Sequence, residues 1–584
     1  MSDAPYDRAV VIAAGAELAP IHRVWGTGGW LPPEAREALD WFTLLRLFGW
    51  GVRVLNGDHA NLPGAHSIDA DLVVIACDPD TVGNALVGQL RQLLNDTPTL
   101  VIARAAASGT PLAEVAGVSR RPERHSGRVV QWRGPGPERT WTLRSPIESV
   151  ALQHGDTATT WVTLEGAPLV AMCRVGRGTV LSLGFHPSHA RDADGAATAV
   201  LQHVLCWGSP TPVAWLDWRG TMVLRMDDPG GAQNVHSRTW AHRKLDEAVW
   251  AAIGADLRYR SARLGIAYVA GWVDDGDASR GELRVGGRPV ARGPGAVYLS
   301  PAVQYHDRTG HLPGVLHNYG GEYRGIQALR AAGLGDIELH GYTHMFPDGA
   351  RWAAAADRYD AVSWFRELGR SAEPVLATLP PDQHPLAQGV AALAQLFGVR
   401  PTTLVSPGDE WTDAALARAL DLGLQLIGSY YLAIRDGDRF CWTQHVCAPY
   451  LDEPSAAWFD TPLPVVGYFH DRDVAVHGVD WMTRQLDRWQ ACGATRFVDF
   501  RECAGAIGRR LRMQQTPAGL QLHVDPAAAP ALVRPVPVNI IVPAGARPAR
   551  VRVSLDGTVF DVDVDWRSSG HGRLSLSIGA PAAP

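Results

Sequence analysis

The chain has 584 residues, 46% of them hydrophobic and 20% charged, with a formal net charge of −6. That length exceeds what a single hydrophobic core supports, so roughly two to four domains are expected. The composition is that of a globular protein, and a mildly acidic balance without a Lys/Arg cluster excludes a nucleic-acid footprint.

Residues 1–8 have no basic region leading into an apolar core, and the apolar run that follows, 9–14, is too short for a signal core. No stretch reaches the apolar length that spans a bilayer. The expectation is a cytoplasmic protein without a membrane partner. Its seven cysteines, at 77, 173, 206, 441, 447, 492 and 503, are odd in number and scattered, which predicts free thiols rather than a disulfide framework.

Residues 1–210 alternate short apolar runs (9–13, 52–55, 72–76 and 99–102) with helical periodicity over 33–49 and 84–95. Near-continuous apolar runs suit parallel strands covered on both faces. The pattern predicts a three-layer α/β (flavodoxin-like) domain with Trp41, Phe42 and Leu45 in its core. At its end, Gly176-Arg177-Gly178-Thr179-Val180-Leu181-Ser182-Leu183-Gly184-Phe185-His186-Pro187-Ser188 resembles the strand and turn that close class I glutamine amidotransferase domains, where the turn reads Phe-His-Pro-Glu. Here Ser188 replaces the Glu. Cys77 ends a strand without the glycines of a nucleophile elbow. The resemblance therefore implies an amidotransferase-like domain that is non-catalytic, serving to bind substrate, to form a dimer or to shape the active site.

Residues 207–212 read as a Gly/Pro linker. From 213 to 508 strands and helices alternate again. Strands are predicted at 222–226, 264–270, 336–339, 403–405, 424–428 and 465–469, and helices at 240–253, 323–332, 413–422 and 478–491. This arrangement predicts a β/α barrel with its functional residues at strand C-terminal ends. Residues 509–584 alternate at period two between Pro and Gly breaks, the pattern of a small β-sandwich. The fold expected is thus a multidomain α/β protein with boundaries at 1–210, 213–508 and 509–584.

Two features offer chemistry. Asp227 and Asp228 follow the apolar run Met222-Val223-Leu224, and charges that cap a buried strand must be paired, hydrogen-bonded or metal-bound. His340 and His344 are four apart, a spacing that can aim two imidazoles at one metal. With 21 His in 584 residues, chance alone gives roughly 0.8 such pairs, so the spacing needs its context. That context is the strand-like Ile337-Glu338-Leu339 just before it.

Arg-Met-Asp-Asp, then His-x-x-Thr-His, then Ser406-Pro407-Gly408, then Phe469-His470-Asp471 resemble, in that order, the polysaccharide deacetylase superfamily of metal-dependent carbohydrate esterases. The resemblance covers about 290 residues and implies a distorted β/α barrel. It implies Asp227 as general base, Asp228, His340 and His344 as ligands of a divalent metal (zinc in most members), and His470 as general acid. Members carry an arginine in the third motif that holds the base, and this chain has Val405-Ser406-Pro407 there. Arg225, two residues from Asp227 and so on the same strand face, is expected to take that role. The aspartate that tunes the acid has no clear counterpart, and Asp409, Asp471 and Asp480 are the candidates.

The long segment between the first two motifs is rich in Tyr, His and Gly. Tyr305, His306, His317, Asn318 and Tyr319 are expected to contact substrate, with Trp411, Trp272 and Trp442 as possible sugar-stacking residues. The reaction expected is removal of an N-acyl group, acetyl in the first instance, from an amino sugar, glycoside, antibiotic precursor or related small metabolite by a protein that can form homo-oligomers. Two alternatives stand beside it: allantoinase-like hydrolysis of a non-sugar C–N bond, and a carbohydrate-binding scaffold that has lost catalysis.

Overall fold

The computed structural model describes residues 7–14, 33–57, 70–187, 196–428, 432–442, 446–449, 451, 454–525, 534–543, 547–555, 558–568 and 570–576. Ser188, residues 526–530 and the side chain of Trp442 lie outside the described set.

The N-terminal region forms a nine-stranded sheet. Five strands are parallel, in the spatial order Gly51–Gly57, Asp7–Ala14, Leu72–Ala76, Leu100–Arg104 and Gly178–Leu183. Their apolar runs are continuous because alternate residues enter opposite cores: Val11 and Val74 pack with Trp41, Phe42 and Leu45 on one face, while Val10, Ile12 and Val73 pack with Leu86 and Leu90 on the other. Helices Pro33–Leu47 and Asn84–Asp96 supply those two layers. The strand–helix alternation expected throughout residues 1–210 fails between 118 and 175. There the sheet continues as four antiparallel strands, Ala167–Val175, Ala158–Leu164, Val118–Trp132 and Arg139–His154. The outermost pair is partly solvated, and its exposed residues dilute the apolar signal.

The central sheet has ten strands. Its spine is parallel: Leu426–Gly428, Thr403–Leu404, Gly335–Leu339, Leu264–Tyr268, Thr221–Asp227, Val465–His470 and Val446–Pro449. Leu432–Asp436 and Arg439–Trp442 extend one edge antiparallel, and Arg496–Val498 also pairs with Thr221–Asp227. Among the described residues the path does not close, so the structure shows an open, barrel-like sheet where a barrel was expected.

The helix predicted at 240–253 begins instead at Glu247, because Asp246 caps it by accepting the Val249 amide at 3.0 Å. Residues 241–246 are left without helix or strand. Two small antiparallel sheets fill the segment between Gly271 and Asn318.

The C-terminal residues form two four-stranded sheets. One contains Arg510–Thr516, Gly519–Asp525, Arg550–Leu555 and Thr558–Asp563. The other includes Val213–Leu216, which pairs antiparallel with Val536–Ile541. The four residues after the linker thus belong by pairing to the C-terminal sheet rather than to the central one. Their position is pinned by Trp50, whose indole N–H donates to Ala214 O at 2.7 Å.

Among the described residues, no helix is long and apolar enough to cross a membrane. Cys77, Cys173, Cys206, Cys441, Cys492 and Cys503 are free.

Candidate active site

The parallel register brings the chemistry to one edge. Asp227 is the Cα partner of His470 on one side and of Ala267 on the other. His340 directly follows the strand Gly335–Leu339. All these strands end at the same edge of the sheet, the usual place for ligands in open parallel sheets. They open into a cleft of about 420 Å³, within the range of small-molecule sites. Asp227, Asp228, His340, His344 and His470 line it together with Gln233, Trp240, Phe365, Arg366, Ser406, Asp409 and Tyr468.

Asp227 ends its strand and Asp228 opens the turn that follows. Asp228 adopts φ +78°, a left-handed conformation, and Gly230 follows at φ +84°. Asp227 therefore stays on its strand and its neighbour swings towards the histidines. Arg225 is buried and donates from Nη2 to Asp227 Oδ2 at 2.7 Å and from Nη1 to Gly428 O at 2.9 Å. Its guanidinium lies 4.6 Å from the centre of the Tyr468 ring.

Asp228 Oδ1 lies 3.2 Å from His340 Nε2 and 3.4 Å from His344 Nε2. One ligand atom from each of the three falls within 4.8 Å of the others. This set fits a divalent cation. His340 Nδ1 is 2.7 Å from Val405 O, a pure acceptor, so Nδ1 holds the proton of a neutral ring and Nε2 turns a lone pair towards the carboxylate. Two imidazole nitrogens facing one carboxylate oxygen need protons or a cation between them. Metal–ligand bonds of about 2.0–2.1 Å at a tetrahedral angle would place ligand atoms roughly 3.3–3.4 Å apart, which matches both separations.

Where a proton rather than a cation bridges His340 Nε2 and Asp228 Oδ1, the groups shift together. Burial would raise the Asp228 carboxyl, but the His340 hydrogen bond and the nearby imidazoles hold it well below the usual carboxylate range. Burial lowers His344 to about 4. The hydrogen bond to Asp228 overcomes burial to raise His340.

His470 caps the helix Asp471–His477. Its backbone N–H donates to Asp473 Oδ2 at 2.8 Å, and its Nδ1 lies 3.3 Å from the same oxygen. Burial opposes the charged imidazole, yet Asp473, Asp228 and Asp227 raise it to about 9. Asp473, rather than Asp409, Asp471 or Asp480, is thus the carboxylate whose contact with the His470 ring is seen at 3.3 Å. Asp471 turns its carboxylate to Lys244 (2.7 Å) and His242 (3.1 Å), Asp480 is exposed, and Asp409 sits in the cleft.

Two further residues escaped the sequence. Glu367 is buried and accepts from Tyr342 N (2.8 Å), Thr343 N (2.9 Å), Thr343 Oγ1 (2.7 Å) and His344 N (3.3 Å), tying down the loop between the two histidines. Trp240 donates its indole N–H to Asp228 Oδ2 at 2.9 Å.

Tyr305, His306, His317, Asn318, Tyr319 and Trp411 do not line the cleft. Tyr305 and Tyr319 are buried with Trp272, Val303 and Leu283 in a satellite core beneath the inserted sheets. His317 meets Asn234 at 3.0 Å, and Asn318 caps the helix Tyr319–Ala331. His306 is exposed on a strand of the insertion, and Trp411 is buried in the core of the central region. A small inserted sheet needs a core of its own, and these aromatics supply it.

At the corresponding edge of the N-terminal sheet, Cys77 follows the strand Leu72–Ala76. It is buried, and burial pushes its thiol up to about 12. Glu37 accepts from Arg104 Nε at 2.9 Å and lies 3.3 Å from His186 Nε2.

No family model matches the chain, and no curated protein matches it. Among solved structures, a peptidoglycan N-acetylglucosamine deacetylase (Bc1960) is 10% identical, with a TM-score of 0.24, over 48% of this chain and 86% of that one. A mutant CE4-family pseudoenzyme with restored activity (BA3943) is also 10% identical at TM-score 0.24, over 48% and 65%. An exo-β-1,4-mannosidase from Opitutaceae bacterium strain TAV5 is 14% identical at TM-score 0.22, over 35% and 34%. The chain spans about a third of the length of the glycosidases it matches. At these scores the likenesses have no weight in assigning activity, which rests on the site.

Proposed function

We propose that the protein is a metal-dependent hydrolase that removes an N-acyl group, acetyl in the first instance, from an amino sugar or related small glycoside. The observation that carries the reading is the buried Asp228–His340–His344 set, with Asp227 held by Arg225 on the same strand and His470 at the end of the adjacent one. Residues 1–210 are read as a non-catalytic amidotransferase-like domain and 509–584 as an accessory β-sandwich. The preferred ion is Zn²⁺, given one carboxylate and two imidazoles.

When bound, the ion supplies Lewis-acid charge beside the scissile carbonyl and the attacking water. Asp227, oriented by the Arg225 guanidinium, accepts the proton of that water. His470 is protonated at neutral pH, because Asp473 and the aspartate pair raise it, and it donates that proton to the amide nitrogen as the C–N bond breaks. Trp240, Phe365 and Tyr468 wall the cleft.

The test is to load the purified protein with Zn²⁺, incubate it with a panel of N-acetylated amino sugars and measure released acetate, with Asp227→Asn in parallel. Acetate from the wild type but not from the variant is expected. No acetate from any member, with Asp227→Asn indistinguishable, overturns the reading. Ammonia or a ureide from linear or cyclic amides would favour non-sugar C–N hydrolysis instead.

A further inference from the structure

One irregular stretch touches both halves of the site. Residues 241–246 lie between a short turn and the helix Glu247–Tyr259. Their side chains alternate: Arg243 is exposed, while His242 and the Lys244 side chain are buried. Trp240, His242 and Lys244 all reach the site, through Asp228 and Asp471.

Their contacts form a circuit. The Trp240 indole N–H donates to Asp228 Oδ2 at 2.9 Å, and its ring stands edge-on to His470, with centroids 4.9 Å apart. His242 Nδ1 lies 2.8 Å from Trp240 O, and its Nε2 lies 3.1 Å from Asp471 Oδ2. Lys244 Nζ donates to Asp471 Oδ2 at 2.7 Å and to Asp228 O at 3.5 Å, and lies 3.5 Å from Glu322 Oε2. The same Glu322 oxygen accepts the Gly230 amide at 2.7 Å. Asp471 immediately follows His470 in the chain.

Burying an ammonium among carboxylates is a poor way to gain stability, since apolar side chains of similar size commonly do as well. What this cluster achieves is geometric. The turn that presents Asp228 in a left-handed conformation is held at its Asp228 carbonyl by Lys244 and at its Gly230 amide by Glu322. Asp228 Oδ2 is occupied by Trp240, which leaves Oδ1 as the oxygen that faces both histidines.

We propose that Trp240, His242 and Lys244 form a positioning strap. Trp240 fixes which oxygen of Asp228 is offered to a divalent ion, and Lys244, through Asp471, sets the distance from that ligand to His470. The proposal rests on reading Asp228, His340 and His344 as a metal centre. The three residues act through Asp228 and Asp471.

The experiment measures Zn²⁺ affinity of the full chain by competition with a chromophoric chelator, alongside acetate release. Trp240→Phe keeps the ring and removes the N–H. It is expected to weaken Zn²⁺ binding about 10–100-fold, the usual consequence of losing a hydrogen bond that orients a ligand. Lys244→Met is expected to lower kcat, and Lys244→Arg to restore part of it. Arg243→Ala, on the outer side of the strap, should change neither quantity. Should Lys244→Met fail to fold, Trp240→Phe decides alone. Wild-type Zn²⁺ affinity in Trp240→Phe overturns the strap. If the wild type binds Zn²⁺ yet releases no acyl group, the hydrolase reading falls and the strap is judged on affinity. If the wild type binds no Zn²⁺, both fall.

Discussion

Two parallel sheet edges in this molecule carry polar side chains, and they treat them in opposite ways. At the N-terminal edge, Glu37 is answered by the Arg104 guanidinium, and Cys77 is sealed from solvent with its thiol at about 12. At the central edge, one carboxylate and two imidazoles aim acceptor atoms at a common point, and a raised imidazole stands nearby. Strand ends alone therefore do not make a centre. The difference lies in whether the charges that meet there neutralise one another or leave a shared demand for a cation.

The sharpest way to break this contrast is to empty the central edge. His340→Ala is expected to abolish stoichiometric metal binding and to lower kcat/KM by about 10³-fold or more, read by metal analysis and acetate release, while Glu37→Gln at the other edge leaves both within about twofold. Asp227→Asn comes next. It should keep its metal and lose about 10²–10⁴-fold in kcat, the range for removing a general base. Glu37→Gln should show its cost in stability instead, roughly 1–3 kcal/mol by urea unfolding, since it weakens a pair whose carboxylate is buried but whose arginine is partly solvated.

Asp473→Asn tests how the raised imidazole is made. His470 sits at about 9, above its ordinary 6.5. Its contribution to stability is thus full below 6.5 and lost as pH rises through about 9. The variant should move the NMR titration of His470 in metal-free protein, and the alkaline limb of kcat/KM, towards neutral pH. An unchanged limb would remove Asp473 from this role. The smallest effect is expected at Cys77, which should resist alkylation at pH 8 in the folded protein and react only on unfolding.

The parts of this contrast that could be read from the chain were those encoded by short-range pattern. An apolar run ending in paired aspartates and a strand ending in spaced histidines announce their edge, and the flat-out apolar runs of both sheets announce parallel strands. The contact between Arg225 and Asp227 follows from their spacing of two. Other features depend on partners set by the tertiary fold. Glu367 comes from an irregular segment 23 residues beyond His344 and bears no periodicity. Asp473 looks like an ordinary acid in the first turn of a helix. Trp240 reads as a helix residue until Asp246 is known to be the cap. The tyrosines of the insertion have the composition of a sugar site and the burial of a small core, and only packing separates those two outcomes. The strand at 213–216 is claimed by a partner more than 300 residues away in the chain, which no local window contains.

The Glu367 carboxylate has a consequence beyond holding a loop. Val362, Phe365 and Arg366, just before it, form one wall of the cleft, so Glu367 links that wall to the His344 backbone. On the proposed reading of His344 as a metal ligand, a bulky molecule that pushed the wall outward would pull on His344 through Glu367, and a tighter grip on the metal would stiffen the wall in return. Attempts to widen this cleft for larger substrates at 362–366 would then loosen the metal as a side effect, and libraries selected for new specificity should accumulate compensating changes near His344 rather than at the substituted wall.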